Sequence, residues 1–191
     1  MRLKNLTTKI VGQEFIYIES ITSTQKNIWN RINEKTIIDG TVIFAETQTE
    51  GYGTHGRTWH TSDGKNLAFS IYKKINIELR RLDGITIKIA EIIKLILNKY
   101  GINIEIKSPN DLMLNNKKIG GILTEIRSLS GIPKHLVIGV GINCNKNTFE
   151  NDIKDIATSI KKETGIEIDR FEFVAEFCNE LEKEIEKRSI K

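Results

Sequence analysis

Residues 102–142 carry a succession of short apolar runs with no helical stretch among them, and this constrains the fold more than any other feature. Ile102–Ile106, Asp111–Leu114, Ile119–Ile126 and Leu136–Ile142 read as strands by their β-branched content. Asn115-Asn116 makes a tight hairpin turn between the second and third, and Gly131-Ile-Pro133 turns the chain into the fourth. Strands gathered into hairpins predict an α+β fold with a largely antiparallel mixed sheet and flanking helices. The alternating βα units of a doubly wound parallel sheet are missing.

The remaining elements fit that class. Phe15–Ile18, Thr41–Ala45 and Asn66–Tyr72 read as further strands. Ser23 or Thr24 can cap a helix that runs through Ile28, Trp29 and Ile32. Leu82–Tyr100 places Ile85, Ile89, Ile92, Ile93, Ile96 and Leu97 at three- and four-residue spacing, and Gly101 stops it. A short helix is expected around Ile153–Thr164. A last helix from Asp169 carries a stripe of Phe171, Val174, Cys178, Leu181 and Ile185. At 191 residues the chain is read as a single domain, 1–191.

Bulk properties remove several function classes. A net charge of +4 with Lys and Glu interspersed lacks the dense basic run of a nucleic-acid footprint, so a solvated basic surface and no DNA partner are expected. Cys144 and Cys178 stand far apart, outside any CxxC or Cys/His cluster. That predicts neither a zinc site nor a disulfide framework and suits a reducing, cytoplasmic setting. No apolar run is long enough to span a bilayer and no signal-peptide core opens the chain, so no membrane role is expected.

Three glycine-bearing stretches carry the functional signal. Gly51, Gly53 and Gly56 precede Arg57 in a loop between two strands. Glycine permits positive φ and close backbone approach, so the loop can wrap an anion or serve simply as a turn. Lys107 ends an apolar strand before the Pro109 turn, where its ammonium is held at a sheet edge or left solvated, and Asn110 and Asp111 follow within ligand reach. Gly139 and Gly141 interrupt a strand, and Gly120-Gly121 repeats this on a neighbour. Two strands stripped of side chains imply a slot over the sheet.

Taken together, Gly-x-Gly-x-x-Gly-Arg-x-Trp at 51–59, Lys-x-Pro-Asn-Asp at 107–111, Lys-x-x-Gly-Ile-Leu-x-Glu at 118–125 and Gly-x-Gly-Ile-Asn at 139–143 resemble the ordered motifs of biotin protein ligases. Ser23-Thr24 and Gln48 match the family's early Ser-Thr pair and its glutamine before the loop, and the likeness spans residues 15–145. It implies a class II aminoacyl-tRNA synthetase-like core. It also implies ATP-dependent activation of biotin to biotinyl-5′-AMP, with Mg²⁺ as cofactor, and transfer to a lysine of a biotin carboxyl carrier domain. Lys107 and Arg57 are then the catalytic candidates. Ser23, Thr24, Gln25, Gln48, Tyr52, Gly53, Thr54, Lys107, Gly120, Gly121, Gly139 and Gly141 become biotin-side residues. Gly51, Gly53, Gly56, Arg57, Trp59, Asn110 and Asn143 become ATP-side residues, and no protein metal cluster is expected. Trp59 packs against a ligand or in the core, and Glu125 is expected as a hairpin surface charge more than a Mg²⁺-side carboxylate.

The match departs from the family in places. Tyr52 and Thr54 occupy positions where the family usually has arginines that hold phosphate, leaving Arg57 and the titratable His55. A weaker grip on the adenylate is expected. Ser108 replaces a tryptophan that walls the biotin pocket. Neither an N-terminal DNA-binding domain nor a C-terminal β-barrel is read in the chain. A homodimer is left open. The competing readings are a lipoate or octanoate ligase or transferase of the same fold and a decayed biotin- or nucleotide-binding module.

Overall fold

The computed structural model describes residues 2–61, 64–129, 132–150 and 153–189. Seven strands form one sheet: β1 (Phe15–Ile21), β2 (Val42–Gln48), β3 (Leu67–Lys74), β4 (Glu105–Lys107), β5 (Asp111–Leu114), β6 (Lys117–Leu129) and β7 (Ile132–Ile142). Their order across the sheet is β1-β2-β3-β7-β6-β5-β4. Only β1 and β2 run parallel, and every other neighbouring pair is antiparallel. The α+β expectation therefore holds.

Helices cover both faces. α1 (Thr24–Asn33) joins β1 to β2 and packs on β2, β3 and β7, where Ile28 and Trp29 meet Ile43, Tyr72 and Val137. Ser23 caps it by accepting from the Lys26 N–H, which settles the choice between Ser23 and Thr24. The larger core lies on the other face, under α2 (Ile85–Lys99) and α4 (Arg170–Ser189). α2 directs Ile85, Ile89, Ala90, Ile93, Ile96 and Leu97 inward, and Gly101 follows it at φ +75°, a backbone state that glycine adopts at little cost. Asp169 caps α4 through the Phe171 and Glu172 N–H groups. No described helix is long and apolar enough to cross a membrane.

Several boundaries differ from the sequence reading, while one turn matches it. β4 begins at Glu105, because Ile102 and Ile104 bury their side chains in the core without pairing with a strand. Asn115 and Asn116 form the expected hairpin turn, both at positive φ (50° and 62°). The turn expected at Gly131-Ile-Pro133 lies partly outside the described residues. β7 already runs from Ile132, and Pro133 faces Ser128 beside a register shift, where a missing N–H is tolerated. The helix expected around Ile153–Thr164 is confined to α3 (Ile160–Thr164), capped by Ser159, and residues 153–156 form turns.

The first residues of the chain are tied back by one side chain. Glu182 on α4 accepts from the backbone N–H groups of Lys9 (2.6 Å), Ile10 (2.9 Å) and Val11 (2.8 Å). Burial by itself would raise this carboxyl's pKa. The three N–H groups outweigh it and hold the group below its usual value.

Candidate active site

Strand register empties one part of the sheet. On the face that carries α1, Asp111, Gly121, Gly141 and Ala68 lie side by side across β5, β6, β7 and β3. The next row is Leu123, Gly139 and Ser70, and the row under α1 is Glu125, Val137 and Tyr72. Beyond the N-terminus of α1 the sheet thus presents bare backbone, and a cavity of about 530 Å³ opens above it. Period-2 alternation sends the intervening Ile122, Val140 and Phe69 to the opposite core.

The first wall is polar. Thr24 donates to Gln48 Oε1 from its backbone N–H (2.8 Å) and from its hydroxyl (3.0 Å), and the same hydroxyl meets Ser70 Oγ at 2.8 Å. Gln48 Nε2 reaches Thr61 Oγ1 at 3.3 Å. Ser23, Thr24, Gln25 and Ser70 are all buried. These groups form a prearranged hydroxyl and amide pocket for a polar but uncharged head.

The opposite wall carries charge. Lys118 Nζ lies 2.6 Å from Asp111 Oδ1, and both side chains retain partial solvent access. A Cβ on Gly121 would stand 3.7 Å from that ammonium, so Lys118 overlies the bare floor. Lys107 also borders the cavity but is exposed at the end of β4. Lys146 and Phe149 extend this wall from the segment after β7, and Ile153, Ile156 and Ala157 add apolar surface, with Ile156 exposed. The sequence reading missed Lys146 and these neighbours, since nothing local marks a polar loop as a wall. Lys118 lies within the Lys-x-x-Gly-Ile-Leu-x-Glu motif but is not among the expected site residues.

Residues 51–59 form a narrow hairpin. Gly53 donates to Arg57 O (2.8 Å), Trp59 donates to Gly51 O (2.8 Å), and Tyr52 bridges Thr58. Within the loop the N–H groups of Gly53, Arg57 and Trp59 are thereby spent on its own carbonyls. The glycines serve different ends: a Cβ on Gly51 would stand 2.5 Å from Trp59 O, while Gly56 has φ +71° at the tip. Arg57 is exposed and its guanidinium reaches Thr54 Oγ1 at 3.3 Å. Trp59 lies flat on Gly141, where an added Cβ would come within 2.4–2.7 Å of the indole. It is a cavity residue and not a core one.

Most expected site residues converge here. Ser23, Thr24, Gln25, Gln48, Tyr52, Gly53, Thr54, Arg57, Trp59, Lys107, Asn110, Gly121, Gly139, Gly141 and Asn143 all line the cavity. Gly51 and Gly56 shape the loop instead. Gly120 points to the other face, where a Cβ would strike Gly141 O and Leu112, so it serves packing and not ligand space. Asn110 and Asn143 donate to Ile122 O and Thr158 O, bracing the walls. Glu125 is a correction: it is no surface charge but a partly buried acceptor beneath α1, taking the N–H groups of Gln25 and Trp29. Among the described residues no three or more His, Cys, Asp or Glu side chains converge on a metal position.

A profile of the Biotin/lipoate A/B protein ligase family matches residues 17–143. The chain is 36% identical over 168 residues to the bifunctional ligase/repressor BirA of Bacillus subtilis, covering 86% of this chain and 51% of that protein. It is 27% identical over 175 residues to the human biotin–protein ligase, covering 86% of this chain and 24% of the relative. In structure it is similar to the biotin protein ligase of Aquifex aeolicus in complex with biotin and ATP, with a TM-score of 0.75 and 28% identity over 92% of this chain and 71% of that one. The chain thus spans about half the length of the bacterial relative.

Proposed function

The chain belongs to the biotin/lipoate A/B protein ligase family, and we propose that it activates biotin with ATP and passes the biotinyl group to a lysine of a carrier domain. The observation that carries this reading is the cavity's division into two chemically unlike ends over a floor of strand glycines. The end at Thr24, Gln48 and Ser70 offers hydroxyl and amide groups in hydrogen-bonded array. A cyclic urea, with its C=O and two N–H groups, matches such a pocket, whereas the dithiolane ring of lipoate has no donor or carbonyl acceptor to offer it. That favours biotin over the lipoyl alternative.

At the other end the valerate carboxylate would meet the α-phosphate of ATP. A carboxylate oxygen attacks phosphorus, pyrophosphate leaves, and a mixed anhydride results. The amine of the carrier lysine then attacks the acyl carbon, AMP leaves, and an amide forms. Both first-step reactants are anions, so the protein's task is alignment and charge neutralisation. Lys118, held over the floor by Asp111, is the best-placed cation for this, with exposed Lys107 and Arg57 as auxiliaries at the mouth. Trp59 and the hairpin 51–59 would shield the anhydride from water.

The donor set fits a Mg²⁺ ion of the kind held mainly by substrate phosphates, since the cavity offers Asp111 and the amides of Asn110 and Asn143 but no cage. Such an ion, when bound, neutralises phosphate charge. The test is incubation with Mg-ATP and either biotin or lipoate, following pyrophosphate release and labelling of a carrier domain. Biotin-dependent pyrophosphate with carrier labelling is expected. Labelling by lipoate would select the rival ligase, and biotin binding without turnover the decayed module.

A further inference from the structure

Gln25 is 3% exposed, and its Oε1 is one of two buried side-chain polar atoms without a hydrogen-bond partner among the described residues. A buried amide carbonyl left unpaired is costly, so an amide free to turn would not stay so. Its other end explains why it does. Gln25 Nε2 donates to Glu125 Oε2 at 2.8 Å and approaches Val137 O at 3.4 Å, both of which are acceptors. Reversing the amide would set oxygen against both. The unpaired oxygen instead stands over Gly139, 2.8 Å from where a Cβ would lie, on the cavity's bare floor.

Glu125 is itself fixed from several sides. The same Oε2 accepts from Trp29 Nε1 at 2.6 Å, and burial together with the nearby Glu125 charge pushes the Tyr52 phenol of the glycine hairpin up to about 12. Arg127, whose guanidinium stacks 3.9 Å over Trp29, supplies positive charge nearby. A carboxylate takes bonds only as an acceptor, so it dictates which end of the neighbouring amide it receives.

We propose that Glu125 is a positioning residue for ligand recognition: by holding the Gln25 N–H it turns the Gln25 carbonyl oxygen toward the cavity, as the acceptor for an N–H of the bound ring. The inference rests on the reading above that this ring is the cyclic urea of biotin. It assigns one urea N–H to Gln25, beyond the Thr24, Gln48 and Ser70 cluster, whose Gln48 oxygen is already engaged twice by Thr24.

The experiment is calorimetric titration of the full chain with biotin and with two analogues, each having one ring N–H replaced by oxygen. Wild type should bind one analogue about tenfold or more weakly, as loss of a buried hydrogen bond requires. Glu125→Gln, which keeps an acceptor oxygen, should retain that discrimination. Glu125→Leu frees the amide to turn, and should bring biotin and that analogue within about twofold of each other. Gln25→Leu should do the same, and it keeps the question open to refutation should Glu125→Leu fail to fold. Discrimination that survives in Gln25→Leu, or in a cooperatively folded Glu125→Leu, would overturn the assignment, as would equal binding of all three ligands by wild type. No binding of biotin by wild type would instead refute the functional reading on which it rests.

Discussion

Replacing Lys118 by alanine should cost far more than replacing Lys107, though only Lys107 ends a strand in the way that first draws notice. Lys118 lies over the cavity floor, partly shielded from solvent and fixed 2.6 Å from Asp111. Removing one such preorganised electrostatic group from a site of developing charge lowers the rate by about 10²–10³, or about 2.7–4 kcal/mol. The loss has a second part here, because Asp111 is left as an unpaired anion facing the phosphates. Lys107 is exposed, where a single charge is worth about 1 kcal/mol or less, so its removal should cost about fivefold at most. The assay is biotin-dependent pyrophosphate exchange with Mg-ATP, with kcat and KM measured separately for Lys118→Ala, Lys107→Ala and the double variant Lys118→Ala/Asp111→Asn. The double variant should recover part of the loss, since it removes the orphaned charge. If Lys118→Ala stays within threefold of wild type while Lys107→Ala falls a hundredfold, the exposure argument is wrong.

Other outcomes follow from the same structure. Glu182→Gln should lower stability by about 3 kcal/mol in urea unfolding, because a neutral amide cannot accept three backbone N–H groups as the carboxylate does. Since the folded carboxyl titrates below its usual value, wild-type stabilisation by Glu182 should be full above about pH 5 and fade as the pH falls through the folded value, and the variant should lack that acid limb. Gly141→Ala should displace the Trp59 indole and weaken biotin binding at least tenfold by calorimetry, whereas Gly56→Ala, with open space around it, should act only through its positive φ. Both thiols should resist disulfide reagents until the protein unfolds, since burial pushes Cys144 up to about 12 and Cys178 further still. Thr54→Arg should slow release of the adenylate, measured as its off-rate after rapid dilution, by placing a second guanidinium beside Arg57.

The fold was legible where local chemistry decides it. Asn115-Asn116 announces a hairpin because both residues tolerate positive φ, and the isoleucine spacing of α2 declares a buried face. Gly121, Gly139 and Gly141 announced a slot because a side-chain-free strand stretch has few structural uses. What stayed hidden depends on register and distance. Gly120 and Gly121 are neighbours in sequence, yet one packs the core and the other floors the cavity, and only pairing with Ile142 and Gly141 tells them apart. Glu125 looked solvated because its partners, Gln25 and Trp29, lie about a hundred residues earlier. Lys146 and Phe149 gave no warning, because a polar loop becomes a wall only once the chain brings it back over the sheet.

The bare floor also makes strand alignment a switch between two mutually exclusive uses of the same segment. A slip of β7 by one residue against its neighbours would turn Val140 and Ile142 into the cavity and Gly139 and Gly141 into the core. One error would thus plug the binding space and hollow the interior at once. Alignment is protected on both counts, and by features remote from the ligand: the register shift at Arg127/Ser128 lies at the far end of the β6–β7 pairing. Insertions near that shift, although nowhere near the site, should be among the most damaging to it.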